Sequence, residues 1–250
     1  RTQKAPDRGT VAAALLESRT NGPSPVGLRK LPLQEADWET LQAASKATGR
    51  SVVELVLASA VRVSQERRTS LTPAQLPVRI SLPVEYRGLA RIRGTFQNHW
   101  GLAALEYDAT VIADRAALAL QIEADLKRAL RLEGPTRMLV GVGLLSRFLS
   151  TRMLLGFVRK LDTDPENWVF TLLFTAGRVP RELRRLPLTF LEFWGKGALP
   201  PSPGMGLMCF LEEEKGQLVL EYRKDNISEA AVDAWVQAMY RDLRASNKSA

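Results

Sequence analysis

L-P-V-R-I-S-L-P-V-E-Y-R-G-L-A-R-I-R-G-T-F-Q-N-H-W, Leu76 to Trp100, is the stretch on which the reading of this sequence turns. Pro77 to Val84 alternates in the manner of an extended segment, and Glu85 to Arg93 is an arginine-studded turn. Gly94 then leads G-T-F-Q-N-H-W-G into a second strand, Leu102 to Tyr107. Arg79, Arg87, Arg91 and Arg93 crowd beside His99, the single histidine of the chain. This concentration of charged and polar groups between two strands is where chemistry is expected.

The wider composition bounds what such a site can be. With 250 residues and 45% apolar content, the chain can bury a core as one large domain or two small ones. One cysteine, Cys209, sits in the apolar run G-L-M-C-F-L; this excludes an internal disulfide framework, fits a reducing, cytoplasmic compartment, and reads as packing. A formal net charge of +8 admits a nucleic acid, an anionic membrane surface or a phosphorylated small molecule as partner. One Cys and one His leave no zinc spacing, and neither a block of like charges nor an aromatic-basic RNA motif occurs, so the expectation is no metal and no nucleic acid. No apolar run is long enough to cross a bilayer. R-T-Q-K-A-P-D-R-G-T has neither an initiating Met nor a signal-peptide core, and reads as the continuation of something longer.

Residues 1–26 are polar and turn-rich apart from Val11 to Leu16, a short helix or linker. Gly27 to Leu33 predicts a strand, and the following helix aligns Trp38, Leu41 and Ala44 on one face before stopping at Gly49. Ser51 and Glu54 form a capping box that opens a largely apolar helix, Val52 to about Arg67, expected to pack inside against a sheet. Ala113 to Leu132 predicts one amphipathic helix through Leu118, Ile122, Leu126 and Leu130. Met138 to Arg159 reads as a core-facing helix, or two short ones, with Arg147 and Arg152 at the rim; the other reading is a membrane-surface helix or the wall of a hydrophobic substrate site. Trp168 to Phe174 predicts a buried strand ending in a turn at T-A-G-R-V-P, where Gly177 takes a positive φ. Pro187 to Phe193 predicts a further strand. Gly206 to Leu211 and Gln217 to Tyr222 predict a hairpin, with Gln217 and Glu221 on its polar side. Asn226 to Ser228 caps a last helix that aligns Val232, Trp235, Val236, Met239 and Leu243.

From about Gly27 to Arg244, these elements and four motifs resemble the C-terminal half of the CoA-dependent acyltransferase superfamily. This is the chloramphenicol acetyltransferase-like fold of condensation domains and alcohol or wax-ester acyltransferases. A-T-G-R-S-V-V-E-L-V-L-A-S-A is similar to the family's helix-glycine-helix segment, with Glu54 where Asn is usual. I-S-L-P-V-E-Y-R-G resembles its strand ending in an arginine, here Arg87. G-T-F-Q-N-H-W-G resembles Gly-x-Phe-x-Asn, matching Gly94, Phe96 and Asn98. T-A-G-R-V-P resembles its Ser-Asn-x-Gly-Arg turn, with Ala176 where Asn is common.

The resemblance implies an α/β lobe, a mixed sheet flanked by helices, forming one half of a two-lobe fold: residues 27–245, preceded by a 1–26 linker or short helix and followed by a 246–250 tail. It implies acyl transfer from acyl-CoA or a phosphopantetheinyl carrier protein to a hydroxyl or amine. The catalytic His-His-x-x-x-Asp-Gly belongs to an N-terminal lobe, and His99, followed by Trp-Gly, does not supply it. His99 is then a substitute base or, more simply, a variable residue after Asn98. Arg87 would pair with the signature aspartate and hold the histidine loop; its bland reading is a solvated turn arginine. Gly94, Phe96, Asn98 and Gly177 would support the active site, though each also suits an ordinary strand start or turn. Arg178, Arg181 and Arg184 would meet phosphates of CoA or the carrier arm, against the alternative of a solvated loop. The implied partners are an N-terminal lobe, an acyl thioester and an apolar acceptor. The competing functional reading is a non-catalytic binding lobe, and a basic peripheral membrane or nucleic-acid binder is the third.

Overall fold

The computed structural model describes residues 26–71, 77–85, 100–131, 147–150, 152–153, 156, 171–178, 205–211, 216–224 and 227–245. Within them, six strands form one mixed sheet: β1 (Val26–Pro32), β2 (Val78–Glu85), β3 (Trp100–Tyr107), β4 (Thr171–Arg178), β5 (Met205–Leu211) and β6 (Gly216–Arg223). Their order is β1-β6-β5-β4-β2-β3. β4 is parallel to both β2 and β5, while the β1–β6, β5–β6 and β2–β3 pairs are antiparallel.

Five helices accompany the sheet: α1 (Glu35–Thr48), α2 (Val52–Leu71), α3 (Ala109–Ala113), α4 (Arg115–Leu130) and α5 (Glu229–Ala245). α1 begins with Glu35 and Asp37 in its first turn, where the helix dipole favours negative charge, and ends at Gly49. Gly49 has φ 68°, a left-handed conformation that glycine adopts without a Cβ clash. The capping box forms as expected: the Ser51 N–H donates to Glu54 Oε2 at 2.7 Å, and the Glu54 N–H donates to Ser51 Oγ at 3.3 Å. α2 is the inner helix, packed against α5, α4, α1 and β2. Val56, Leu57, Ala60, Val61 and Val63 are buried in it, and so are Ser59, Ser64 and Gln65.

One face of the sheet supplies the other side of the core. Gly27, Tyr222, Met205, Leu172, Ile80 and Leu105 are registered neighbours across all six strands. Gly27 is required in that row because the ring of Tyr222 lies across it; a Cβ there would come 2.3 Å from Tyr222 Cζ. On α5, Val232, Trp235, Val236, Met239 and Leu243 are buried as their spacing predicts.

Ion pairs tie the helices to one another. Arg244 donates from Nε to Asp37 Oδ1 at 2.7 Å and from Nη2 to Oδ2 at 3.3 Å, joining α5 to α1. Asp242 takes both Arg62 of α2 and Arg115 of α4, the latter at 3.5 Å. Arg50, in the α1–α2 junction, donates to Ala119 O at 2.9 Å and lies 3.3 Å from Glu123, so the junction is fixed to α4. Tyr240 donates to the Pro32 carbonyl at 3.0 Å and fastens α5 to the end of β1.

Four local expectations are corrected. The helix predicted from Ala113 to Leu132 is the single helix α4, but it starts at Arg115, and α3 ends at Ala113 before it, because Asp114 is extended and its carboxylate accepts from the N–H groups of Ala116 at 2.9 Å and Ala117 at 3.1 Å. An N-cap of this kind sets where a helix begins. Gly177 is not a turn residue: β4 continues to Arg178, with Gly177 registered to Phe210, since the parallel ladder with β5 supplies the pairing that a turn would forgo. Glu221 is not on a solvent side. β6 lies between β1 and β5, and successive residues Leu218 to Arg223 are all buried, so both faces of the strand are covered. Finally, the described part of the 138–159 segment does not face the core: Phe148 is 81% and Met153 58% exposed. Residues 187–193 lie outside the described residues, as do residues 1–25 of the linker and the tail, while Val26 belongs to β1.

Two outcomes follow from this packing. Gly27→Val is expected to destabilise the fold by about 1–3 kcal/mol through overpacking against Tyr222, read as a lower urea midpoint at unchanged slope. The Asp37 carboxyl is held below its ordinary 3.8 mainly by the Arg244 hydrogen bond, with burial opposing it. A depressed folded-state value gives stability that is present above the unfolded value and is lost as pH falls through the folded one. Asp37→Asn should therefore melt below the parent protein at neutral pH, with the difference closing as pH drops beneath 3.8.

Candidate functional site

The sheet topology fixes where the candidate residues enter and leave the fold. Because β2, β4 and β5 run parallel, their carboxyl ends at Glu85, Arg178 and Leu211 share one end of the sheet. β3 runs the other way, and Trp100 at its start is registered to Glu85 at the end of β2. Residues 86–99 thus depart and return at that same end. Open α/β sheets bind ligands outside the carboxyl ends of parallel strands, where no side of the sheet is blocked by a crossover helix.

Arg87, Gly94, Phe96, Asn98 and His99 lie between those two anchors and outside the described residues, as do Arg181 and Arg184. Gly177 and Arg178 are the expected site residues within them, and they occupy the carboxyl end of β4 beside β5. The far end of the β2–β3 pair is held by Arg79, whose Nε donates to Glu106 Oε2 at 3.0 Å across the strands. Such a cross-strand pair helps set register, and register decides which residues reach the site end.

Two buried groups bear on the chemistry. Cys209 is registered to Ala176 and Leu218, fully buried on the helix-covered face, and burial pushes its thiol up to about 12. A thiol at that value holds no useful thiolate at neutral pH, so Cys209 is packing and not a nucleophile. Tyr107, at the opposite end of β3, is fully buried; burial and the nearby Asp125 hold its hydroxyl protonated. No periodicity signal marks that tyrosine, which looks like any inward residue of an alternating strand. Among the described residues, no group of three or more His, Cys, Asp or Glu side chains is placed to hold a metal ion.

No protein-family model matches the sequence, and no curated protein matches it. Solved structures do match. The epimerization domain from the third module of tyrocidine synthetase B superposes with a TM-score of 0.60 at 11% identity, covering 99% of this chain and 53% of that one. The condensation domain that mediates chain release from the enacyloxin polyketide synthase gives a TM-score of 0.61 at 15% identity, over 90% of this chain and 41% of that one. The trichothecene 15-O-acetyltransferase of Fusarium sporotrichioides gives 0.64 at 14% identity, over 94% and 50%. The fold is the one these domains share, the chloramphenicol acetyltransferase-like fold, a mixed sheet flanked by helices. The chain spans about half the length of the structures that it matches.

The burial of Cys209 is directly testable. Native protein should resist alkylation by iodoacetamide at neutral pH and take up one equivalent in denaturant; rapid native labelling would show that the strand is not packed as described.

Proposed function

We propose that this chain is one lobe of an acyltransferase that moves an acyl group from a CoA or carrier-protein thioester to a hydroxyl or amine. The observation that carries the reading is a chain folded as about half of condensation-type and acetyltransferase structures, whose Gly-x-Phe-x-Asn and Gly-Arg motifs attach at one end of its sheet.

The chemistry needs few groups. A histidine of a His-His-x-x-x-Asp-Gly motif on the other lobe takes the acceptor proton as its oxygen or nitrogen attacks the thioester carbonyl. The carbon–sulfur bond then breaks, and the departing thiolate receives the proton. Arg87 is a positioning residue that pairs with the motif aspartate, because a planar guanidinium meets a carboxylate with two parallel hydrogen bonds. Gly94, Phe96, Asn98 and Gly177 shape the meeting place of donor and acceptor. Arg178, Arg181 and Arg184 bind donor phosphates, whether of CoA or of a phosphopantetheinyl arm. The acceptor is apolar, in keeping with the apolar segment from Met138 to Val158.

A second reading, a non-catalytic binding lobe, is favoured by one fact: the chain holds a single histidine with no aspartate at the motif spacing. Acyl-CoA turnover with a medium-chain alcohol separates the two, measured by thiol release for the chain alone and after mixing with a condensation-type N-terminal lobe bearing the motif. The chain alone should be silent and the mixture active. Arg87→Ala should lower the rate of the mixture by about 100-fold through misplacement of the histidine, and His99→Ala should leave it unchanged. Silence of the mixture, with binding of acyl-CoA retained, would favour the binding lobe.

A further inference from the structure

Between Glu133 and Asp162 the sequence holds no acidic residue, while Arg137, Arg147, Arg152, Arg159 and Lys160 fall among long apolar side chains. The structure describes two adjoining pairs of that pattern directly: Arg147 with Phe148, and Arg152 with Met153, all exposed. The two pairs flank a bend at Leu149, and the Met153 N–H returns to Ser150 O at 2.9 Å, so that a short capped turn holds the second pair. Elsewhere on the molecule Arg29, Arg50, Arg62, Arg79, Arg115 and Arg244 each lie on a carboxylate. Arg147 and Arg152 have no such partner among the described residues. A phenylalanine 81% exposed and a methionine 58% exposed, each next to an arginine with no counter-charge among the described residues, are an arrangement with a specific physical complement. That complement is a surface with anionic headgroups over hydrocarbon.

We propose that Arg147, Phe148, Arg152 and Met153 form a docking surface for an anionic lipid membrane. Phe148 and Met153 enter the boundary between headgroups and acyl chains, and Arg147 and Arg152 meet the lipid phosphates. Charge complementarity selects this occupant: an apolar protein partner would leave both guanidinium groups to be desolvated without compensation. No helix among the described residues is long and apolar enough to cross a membrane, so the contact is peripheral. Binding of this kind does not depend on acyl transfer, and its failure leaves that reading untouched.

Co-sedimentation with vesicles tests the proposal, comparing phosphatidylcholine alone with phosphatidylcholine containing phosphatidylglycerol. The full chain should sediment with the anionic vesicles and not the neutral ones, and added salt should release it. Arg147→Gln/Arg152→Gln should weaken partitioning by about 30-fold, in line with the loss of two surface charges. Phe148→Ser/Met153→Ser should weaken it at least as much, while Leu120→Ser, which alters an exposed leucine on α4, should bind as the parent does. Circular dichroism should show all variants folded, as expected for exposed positions. Absence of vesicle binding would overturn the proposal, as would binding that both double variants leave unchanged, since the general charge of +8 would then account for it. A shift from dimer to monomer in Phe148→Ser/Met153→Ser, seen by light scattering, would assign the surface to a second copy of the chain and overturn it equally.

Discussion

The parallel pairing of β2, β4 and β5 is the constraint on which the rest of the molecule depends. A parallel neighbour cannot be reached by a tight turn; the chain must cross back over the sheet, and that crossing needs helices. α3 and α4 lie in the connection from β3 toward β4, packed on α2, and they fill the layer that this route demands. The same direction of travel puts three carboxyl ends on one side, and it is there that Glu85 and Trp100 hold the ends of residues 86–99. Core and candidate site are two results of one topological choice.

The helical layer is unified less by apolar burial alone than by where its arginines fall. α2 could slide in a purely apolar bed, because dispersion contacts do not fix a register. Asp242 taking both Arg62 and Arg115 relates α5 to α2 and α4 at one point, and Arg50 relates the α1–α2 junction to α4 at another. Arg115 keeps about a third of its side chain in solvent (36%) and meets Asp242 at 3.5 Å, so that contact contributes little by itself. The effect of these pairs is geometric, as directional bonds select one packing among several of similar burial.

Much of this architecture was legible where the signal was local. Ser51 and Glu54 are three residues apart and satisfy each other, Gly49 closes α1, and the α5 stripe from Val232 to Leu243 follows from helical periodicity. Illegible features depended on neighbours remote in sequence. Nothing near Gly177 says that β5 will pair with it, and nothing near Glu221 says that its strand will be covered on both faces. Nothing in the sequence singles out Asp114, because a capping aspartate and a solvated one look alike until its own backbone is seen to be extended. For the site, motif likeness named Arg87, Asn98 and Gly177, but strand order brings their connections to one end, and no sequence period encodes a crossover.

The pairing of β1 with β6, and of Tyr240 with Pro32 at a separation of 208 residues, carries a further implication for biogenesis. The first strand of the sheet has its described partner in β6, beyond every other described strand, so during synthesis it waits until that strand has left the ribosome. β2 and β3 can close early, whereas the β1 edge and the α5 cover arrive together, after the other described strands. Such late, non-local closure slows folding and lengthens the time in which strand edges are open to the wrong neighbours. A growing chain of this design is one on which a holding chaperone has most to do in the interval before β6 and α5 emerge.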